Sequence, residues 1–113
     1  MTDEQKLLER AARSTGKPWE WGRVINTRDS RLNDDPIEID AILIDGFQWN
    51  PLLDLADCQR LVFDRKMTLA HEPMRGGWSV GAVVKDEFKW LSFHEDGKHA
   101  VVLAAAAIGD SEA

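Results

Sequence analysis

The sequence predicts an α+β fold: a short antiparallel sheet of three to four strands with helices on both faces, a three-layer α/β/α sandwich. Three observations predict it. The opening "TDEQKLLERAARSTG" has the spacing of an amphipathic helix, "FKWLSF" near the end is apolar on both faces of a strand, and the closing "GKHAVVLAAAAIGD" is a helix that is apolar nearly all round. A strand with two apolar faces calls for cover on both. A helix without a polar face calls for burial on more than one side, or for a partner.

In chain order, Thr2 and Gln5 stand at capping-box spacing, each able to satisfy a backbone amide of the other. Leu7, Leu8, Ala11 and Ala12 recur at helical spacing, and Gly16 with Pro18 stops the element. Residues 22–36, "GRVINTRDSRLNDDP", hold no sustained period and are expected to form a long polar loop, a length that is uncommon in compact domains. "IEIDAILI" predicts a strand over Ile37 to Leu43, ended by Asp45-Gly46, a dipeptide suited to a tight turn. Pro51 keeps Asn50 out of helical geometry but is tolerated in a first helical turn, so a second helix is expected from about Leu53. Its apolar stripe is Leu52, Leu55, Ala56, Val62 and Phe63, which would fix it to the sheet, with Asp54 and Asp57 at the positive end of its dipole. "MTLAH", "WSVGAVV" and "FKWLSF" are strands. In them Trp78, Val80, Ala82 and Val84 point one way, while Phe88 and Trp90 face opposite to Leu91 and Phe93. Trp90 is the tryptophan most expected in the core. The last helix starts at Asp96 and stops at Gly109, leaving residues 110–113 as a frayed tail.

The 113 residues suit a single domain spanning 1–113. A chain of that size buries about 60 % or more of its unfolded surface and needs no metal or disulfide to fold. The net charge of −6 is uneven: residues 1–36 carry seven acids and seven bases, residues 37–113 thirteen acids and seven bases. Nucleic-acid affinity rests on cations meeting phosphates, so direct nucleic-acid binding is not expected, apart from a mildly basic group of Arg10, Arg13, Lys17, Arg23, Arg28 and Arg31. One cysteine, Cys58, and an N-terminus without a basic start and apolar run fit a cytoplasmic protein. The longest apolar run, Ala100 to Ile108, is nine residues, against the roughly 18 that a membrane span requires.

The run from "WNPLLDLADCQRLVFDRKMTL" through "WSVGAVV" to "EDGKHAVVLAAAAIG" resembles the small phage and prophage proteins of the phage ABA sandwich family. There, too, an aromatic or Asn-Pro segment leads into a helix with an Asp-Ala entry, an antiparallel sheet opens on a tryptophan, and the last helix is rich in alanine and leucine. The resemblance covers mainly residues 47–109. Residues 22–46 depart from it, being longer and more strand-like. It implies helix, sheet and helix layering and a phage origin. It carries over no catalytic residues, since these proteins as a group have no settled activity.

Chemistry is sparsely signalled. His94 and His99 flank Glu95, but they are five apart, not four as the His-Glu-x-x-His metal motif requires on one helix face. Asp29, Asn33 and Asp35 lack the glycine and distal glutamate of a calcium loop. No metal or cofactor is expected, and no nucleophile, base and orienting group stand at a recognisable spacing. Asp54 and Asp57 are accounted for by the helix dipole. The candidate ligand- or partner-binding residues are Trp19, Trp21, Arg23, Trp49 and Arg75. The tryptophans stand at element boundaries, where an indole can wall a pocket or anchor an interface, and Arg75 stands in the glycine-rich "EPMRGG". The expected function is non-enzymatic: a phage or prophage accessory protein that binds a host protein, in counter-defence. The alternative is a protein that sequesters a small anionic nucleotide, with Trp21 or Trp49 stacking the base and Arg23 or Arg75 meeting phosphate. Self-association through the 98–108 helix, as a homodimer, is a further expectation.

Overall fold

A computed structural model describes residues 2–26 and 37–112. It is an α+β structure of three helices and two three-stranded antiparallel sheets, in the order α1 (Asp3–Arg13), β1 (Trp19–Asn26), β2 (Ile37–Ile44), β3 (Phe47–Trp49), α2 (Leu55–Asp64), β4 (Thr68–Glu72), β5 (Gly77–Val84), β6 (Glu87–His94) and α3 (Gly97–Ser111). The first sheet runs β1-β2-β3 and the second β4-β5-β6.

The local signals act as their chemistry requires. Thr2 caps α1 with the reciprocal Gln5 bonds of a capping box. Asp45 and Gly46 both take positive φ, at 55° and 81°, and so close a two-residue hairpin between Ile44 and Phe47. Lys85 and Asp86 do the same between Val84 and Glu87 without a glycine, at φ 53° and 65°. At the start of α2 the Asn50 carbonyl accepts from the Leu53 and Asp54 amides at 3.2 and 2.9 Å, and Asp54 then caps the helix. Asp57 is buried. It accepts from the Asn50 N–H and from Arg60 Nη1, each at 2.9 Å, so it staples the entry turn to the helix instead of merely facing its dipole.

Residues 22–26, expected in a polar loop, are strand: β1 pairs with β2 from Trp19 opposite Ile44 onward. The β partner supplied a ladder that the mixed sequence "GRVIN" does not announce. Residues 27–36, the rest of that expected loop, lie outside the described residues. The stripe assigned to α2 is also corrected. Leu55 is 60 % and Phe63 78 % exposed, and the helix instead buries Asp57, Cys58 and Leu61.

One hydrophobic core joins both sheets and all three helices. On the first sheet Trp19, Trp21, Ile42, Ile44 and Trp49 share a face through the pairings of Ile42 with Trp21 and Trp49, and of Ile44 with Trp19. Leu7 and Leu8 of α1 belong to the same cluster, and the Trp21 indole donates to Glu9 Oε1 at 2.6 Å. On the second sheet Val80, Ala82 and Val84 face inward. At the centre is α3, which packs on α1, α2, β5 and β6. It buries Ala100, Val101, Val102, Ala104, Ala105, Ala106, Ile108 and Gly109, and between Ala100 and Gly109 leaves only Leu103 and Ala107 half-buried. Burial of each valine or isoleucine contributes roughly 1.5–3 kcal/mol. The apolar surface of this helix is thus largely satisfied within one chain.

The helix continues past Gly109 to Ser111, so Gly109 is not its stop. Its role is closeness. A Cβ there would lie 2.4 Å from the Arg10 carbonyl oxygen and 3.2 Å from both Arg13 Cβ and Ser14 N. At the next residue, Arg10 pairs with Asp110 at 2.6 Å and holds its carboxyl below the usual range. A lowered carboxylate pKa stabilises the fold above the unfolded-state value and ceases to do so as pH falls through the folded one. The contribution is small, because both side chains are more than 40 % exposed.

Gly109→Ala tests the α1–α3 contact. Alanine raises helix propensity by about 1 kcal/mol, yet overpacking against a backbone oxygen costs about 1–3 kcal/mol. The variant is therefore expected to melt several degrees lower than the parent in thermal denaturation followed by circular dichroism. A higher melting temperature would show that the helices are not in this contact.

Candidate functional site: an open aromatic face

The outer face of the second sheet is built from two strips of opposite size. On β5 the outward residues are Gly77, Ser79, Gly81 and Val83, and on β4 they are Thr68, Ala70 and Glu72, which pair with Gly81, Ser79 and Gly77. On β6 the outward residues are aromatic: Phe88 opposite Val83, Trp90 opposite Gly81, and Phe93 opposite Ser79. Simple alternation would put Phe93 on the inner face. An irregularity at Val80/Gly81 in the β5–β6 register sets Leu91 out of the alternation, so that Ser92 turns inward, its hydroxyl donating to the Ala100 carbonyl at 2.6 Å, and Phe93 joins Trp90 outside.

The glycines explain the placement of the rings. A Cβ on Gly81 would lie 2.6 Å from Phe88 Cζ and 3.0 Å from Trp90 Cε3, and one on Gly77 would lie 2.7 Å from Phe93 Cζ. Each aromatic therefore leans over a bare stretch of the neighbouring strand. Phe88 and Trp90 meet edge to face, with centroids 5.2 Å apart and planes at 85°, a favoured arrangement for aromatic pairs. Contact with each other and with the strand below restricts both rings. Even so, Phe88 is 46 % and Trp90 57 % exposed. Trp90, the tryptophan most expected in the core, is the most open of the aromatic residues on this face, and no helix of the described residues covers it.

Arg75 completes the face. Its guanidinium lies 3.8 Å over the Phe93 ring and donates to Glu72 Oε2 at 3.0 Å, while Ser79 Oγ–H donates to the same carboxylate. Ala70, Glu72, Arg75, Ser79, Trp90 and Phe93 line a trough of about 500 Å³. The arrangement is a shallow apolar channel with an aromatic wall, a small-residue floor and an arginine at one end whose charge is balanced by Glu72.

Of the residues singled out in the sequence, only Arg75 belongs to this face. Trp19, Trp21, Trp49 and Arg23 lie on the first sheet. Trp49 is 7 % exposed and is core. Trp19 and Trp21 are half-buried against that core. Arg23 is exposed and pairs with Glu38 and Asp40 at 3.5 and 3.4 Å. The structure does not gather these four with Arg75 into one site. Trp90 and Phe88 escaped the sequence reading because a two-faced apolar strand signals cover on both sides without saying which chain provides it.

Elsewhere, His94 and His99 stack with centroids 4.0 Å apart and planes at 8°, and His94 Nδ1 accepts the Asp96 amide at 2.9 Å. These are structural duties, and a metal ion cannot lie in both of two parallel ring planes. Among the described residues no group of three or more His, Cys, Asp or Glu is placed to hold a metal. Asp29, Asn33 and Asp35 lie outside the described residues. Cys58 is buried, and burial pushes its thiol pKa up, away from the reactive thiolate. A second cleft of about 520 Å³ between α2 and the β2–β3 turn holds Asp45, Asp54, Asp57 and Asp64 beside Lys17 and Arg60. No described helix is long and apolar enough to cross a membrane.

Comparison with known proteins adds no relative: no family model, curated protein or solved structure matches the chain.

Gly81→Ala tests the ring placement. Its Cβ would also meet the Lys89 carbonyl oxygen at 2.9 Å, so backbone as well as rings must shift. The expected result is a loss of about 1–3 kcal/mol in denaturant unfolding, with a changed near-ultraviolet circular dichroism band from the Trp90–Phe88 pair. An unchanged band would mean that the rings do not rest on this glycine.

Proposed function

We propose that the chain is a non-enzymatic binding protein that docks on another protein through the outer face of the β4–β6 sheet. The observation that carries this reading is the Phe88–Trp90 pair: two large rings, packed against each other and half exposed, on an apolar face that nothing in the described chain covers. An antiparallel sheet can leave one face to water, but such faces are normally polar. Interface anchors are enriched in tryptophan and arginine set in preformed, apolar surroundings, and contiguous apolar surface of this kind marks interaction sites. The partner supplies the third layer, completing the α/β/α sandwich that the sequence suggests. The resemblance to small phage and prophage proteins points to a host protein in the bacterial cytoplasm as that partner, with interference in a host defence as the purpose.

Sequestration of an anionic nucleotide has less support. Trp49 is buried, the Trp21 indole is bound to Glu9, and the two cations named for phosphate lie on different sheets, each beside a carboxylate.

The double variant Phe88→Ser/Trp90→Ser tests the docking reading. Both positions are about half exposed and on the sheet's outer face, so the far-ultraviolet circular dichroism should be unchanged and the melting temperature within a few degrees of the parent's. Retention of the partner from extracts of the bacterial host by the immobilised variant should fall at least about tenfold, the loss of one anchor of some 1.4 kcal/mol or more. Equal retention by parent and variant, or no partner retained by the parent, would overturn the reading.

A further inference from the structure

We propose that His94 is a pH-sensitive latch: its unprotonated imidazole holds the cap of α3 in place, and protonation between about pH 8 and 5 releases it. The proposal does not depend on the docking reading. It starts from the joint between β6 and α3. His94 Nδ1 accepts the Asp96 N–H at 2.9 Å. Asp96 in turn opens the helix, its Oδ1 accepting the Lys98 amide and its carbonyl the Ala100 amide, each at 3.0 Å. One imidazole lone pair thus orients the residue that satisfies a free amide of the helix start and accepts the first bond of the helix.

An imidazole nitrogen accepts only while it carries no proton. The neutral ring therefore holds its proton on Nε2, and a proton added at Nδ1 turns the acceptor into a second donor facing the Asp96 amide. His99 adds a second constraint, since it stacks on His94 with centroids 4.0 Å apart and planes at 8°. Two charged rings at that spacing repel. Both effects act in one direction. The charged form loses a bond and gains a repulsion that exist only in the folded chain, so stability is full at higher pH and falls as pH falls through the histidine range.

The surroundings leave this pair as the sensitive element. From β4, His71 lies against Trp78 with centroids 4.9 Å apart, and Trp78 stands between His71 and His94 in the ladder, so the three histidines of the chain gather at one end of the sheet. A charge on His71 faces an indole, which attracts cations. Glu72 is engaged on the outer face by Arg75 and Ser79. Strand β5 carries no titratable side chain. The joint itself holds Glu95, Asp96 and Lys98. Helix α2 brings Cys58, which feels Lys98 and Asp96 and whose raised thiol pKa keeps it neutral over this range, while its Arg65 pairs with Glu112 at the far end of α3. Helix α1 also meets that far end, through Arg10 and the ionised Asp110. Of these residue types only histidine ordinarily changes charge between about pH 8 and 5. Ser92 Oγ donates to the Ala100 carbonyl at 2.6 Å, a tie between β6 and α3 that does not titrate, so the latch frees the first turn of α3 and not the whole helix.

The test is a pH series on the full-length protein, from about pH 8 to about pH 5. By nuclear magnetic resonance the Asp96 amide should shift with the same midpoint as the His94 ring. The Lys98 and Ala100 amides should lose about tenfold in protection from hydrogen exchange, after correction for intrinsic rates. His94→Asn supplies a side-chain oxygen that accepts the same amide in an Asx turn and does not titrate. Over the series the parent's melting temperature should fall about 4 °C further than that of His94→Asn, with the two alike at the upper end. His71→Asn should keep the parent's slope. An Asp96 amide that ignores titration of the His94 ring, equal slopes in the parent and His94→Asn, or an equal loss of slope in His71→Asn would each overturn the proposal. Should His94→Asn melt far below the parent throughout, the Asp96 titration in the parent decides.

Discussion

The contact between Gly109 of α3 and the backbone of α1 closes this molecule, because it lets the last helix lie against the first and draws all sides of α3 into one core. The reach of that contact is set by size. With a Cβ at position 109 the Arg10 carbonyl would stand 2.4 Å away, and the fully buried Ala11, Ala12, Ala104 and Ala105 nearby leave equally little between the helices. From this position α3 fills the inner face of the β4–β6 sheet and meets α2 on another side. Nearly every residue from Ala100 to Gly109 is spent in this way.

The open aromatic face follows from the same constraint. Once α3 is used up inside, and α1 is committed to α3 and the first sheet, no described helix remains to cover the outside of β6. The strand nevertheless carries Phe88, Trp90 and Phe93 there, set over Gly77 and Gly81. The displacement of Leu91 adds the third ring, and Arg75 stacks on it. Three rings, two bare glycines and an arginine balanced by Glu72 thus stand together on one face that no described helix covers, and the proposed docking rests on them.

Much of the frame is legible in the sequence, and the reasons are local. Thr2 with Gln5 marks the start of α1, Asp45-Gly46 marks a hairpin, Asn50-Pro51 marks the turn before α2, and Asp96 caps α3. Each of these is a short-range signal whose energy is decided within a few residues. What is not legible depends on partners far along the chain. Strand β1 is held by β2, which its own "GRVIN" does not foretell. The buried side of α2 is chosen by Asp57 meeting the Asn50 amide, so that polar Asp57 is inside while Phe63 is out. Gly109 reads as a helix stop until the carbonyl of Arg10 is placed against it. Trp49 is settled as core by its pairing with Ile42. The site was the least legible part: alternation assigned Phe93 to the wrong face, and hydrophobicity alone placed Trp90 inside, because composition reports that a ring will be covered and not by what.

The most direct measurement of this account is collisional quenching of tryptophan fluorescence by iodide, comparing the parent with Trp90→Phe. Trp49 is core, Trp19 and Trp21 are half-buried, Trp78 is partly covered, and only Trp90 is open. The account predicts that the parent shows a strongly quenched component and that Trp90→Phe removes most of it. Undiminished quenching in Trp90→Phe would contradict it, since the accessible indole would then lie elsewhere and the open aromatic face would not exist in solution.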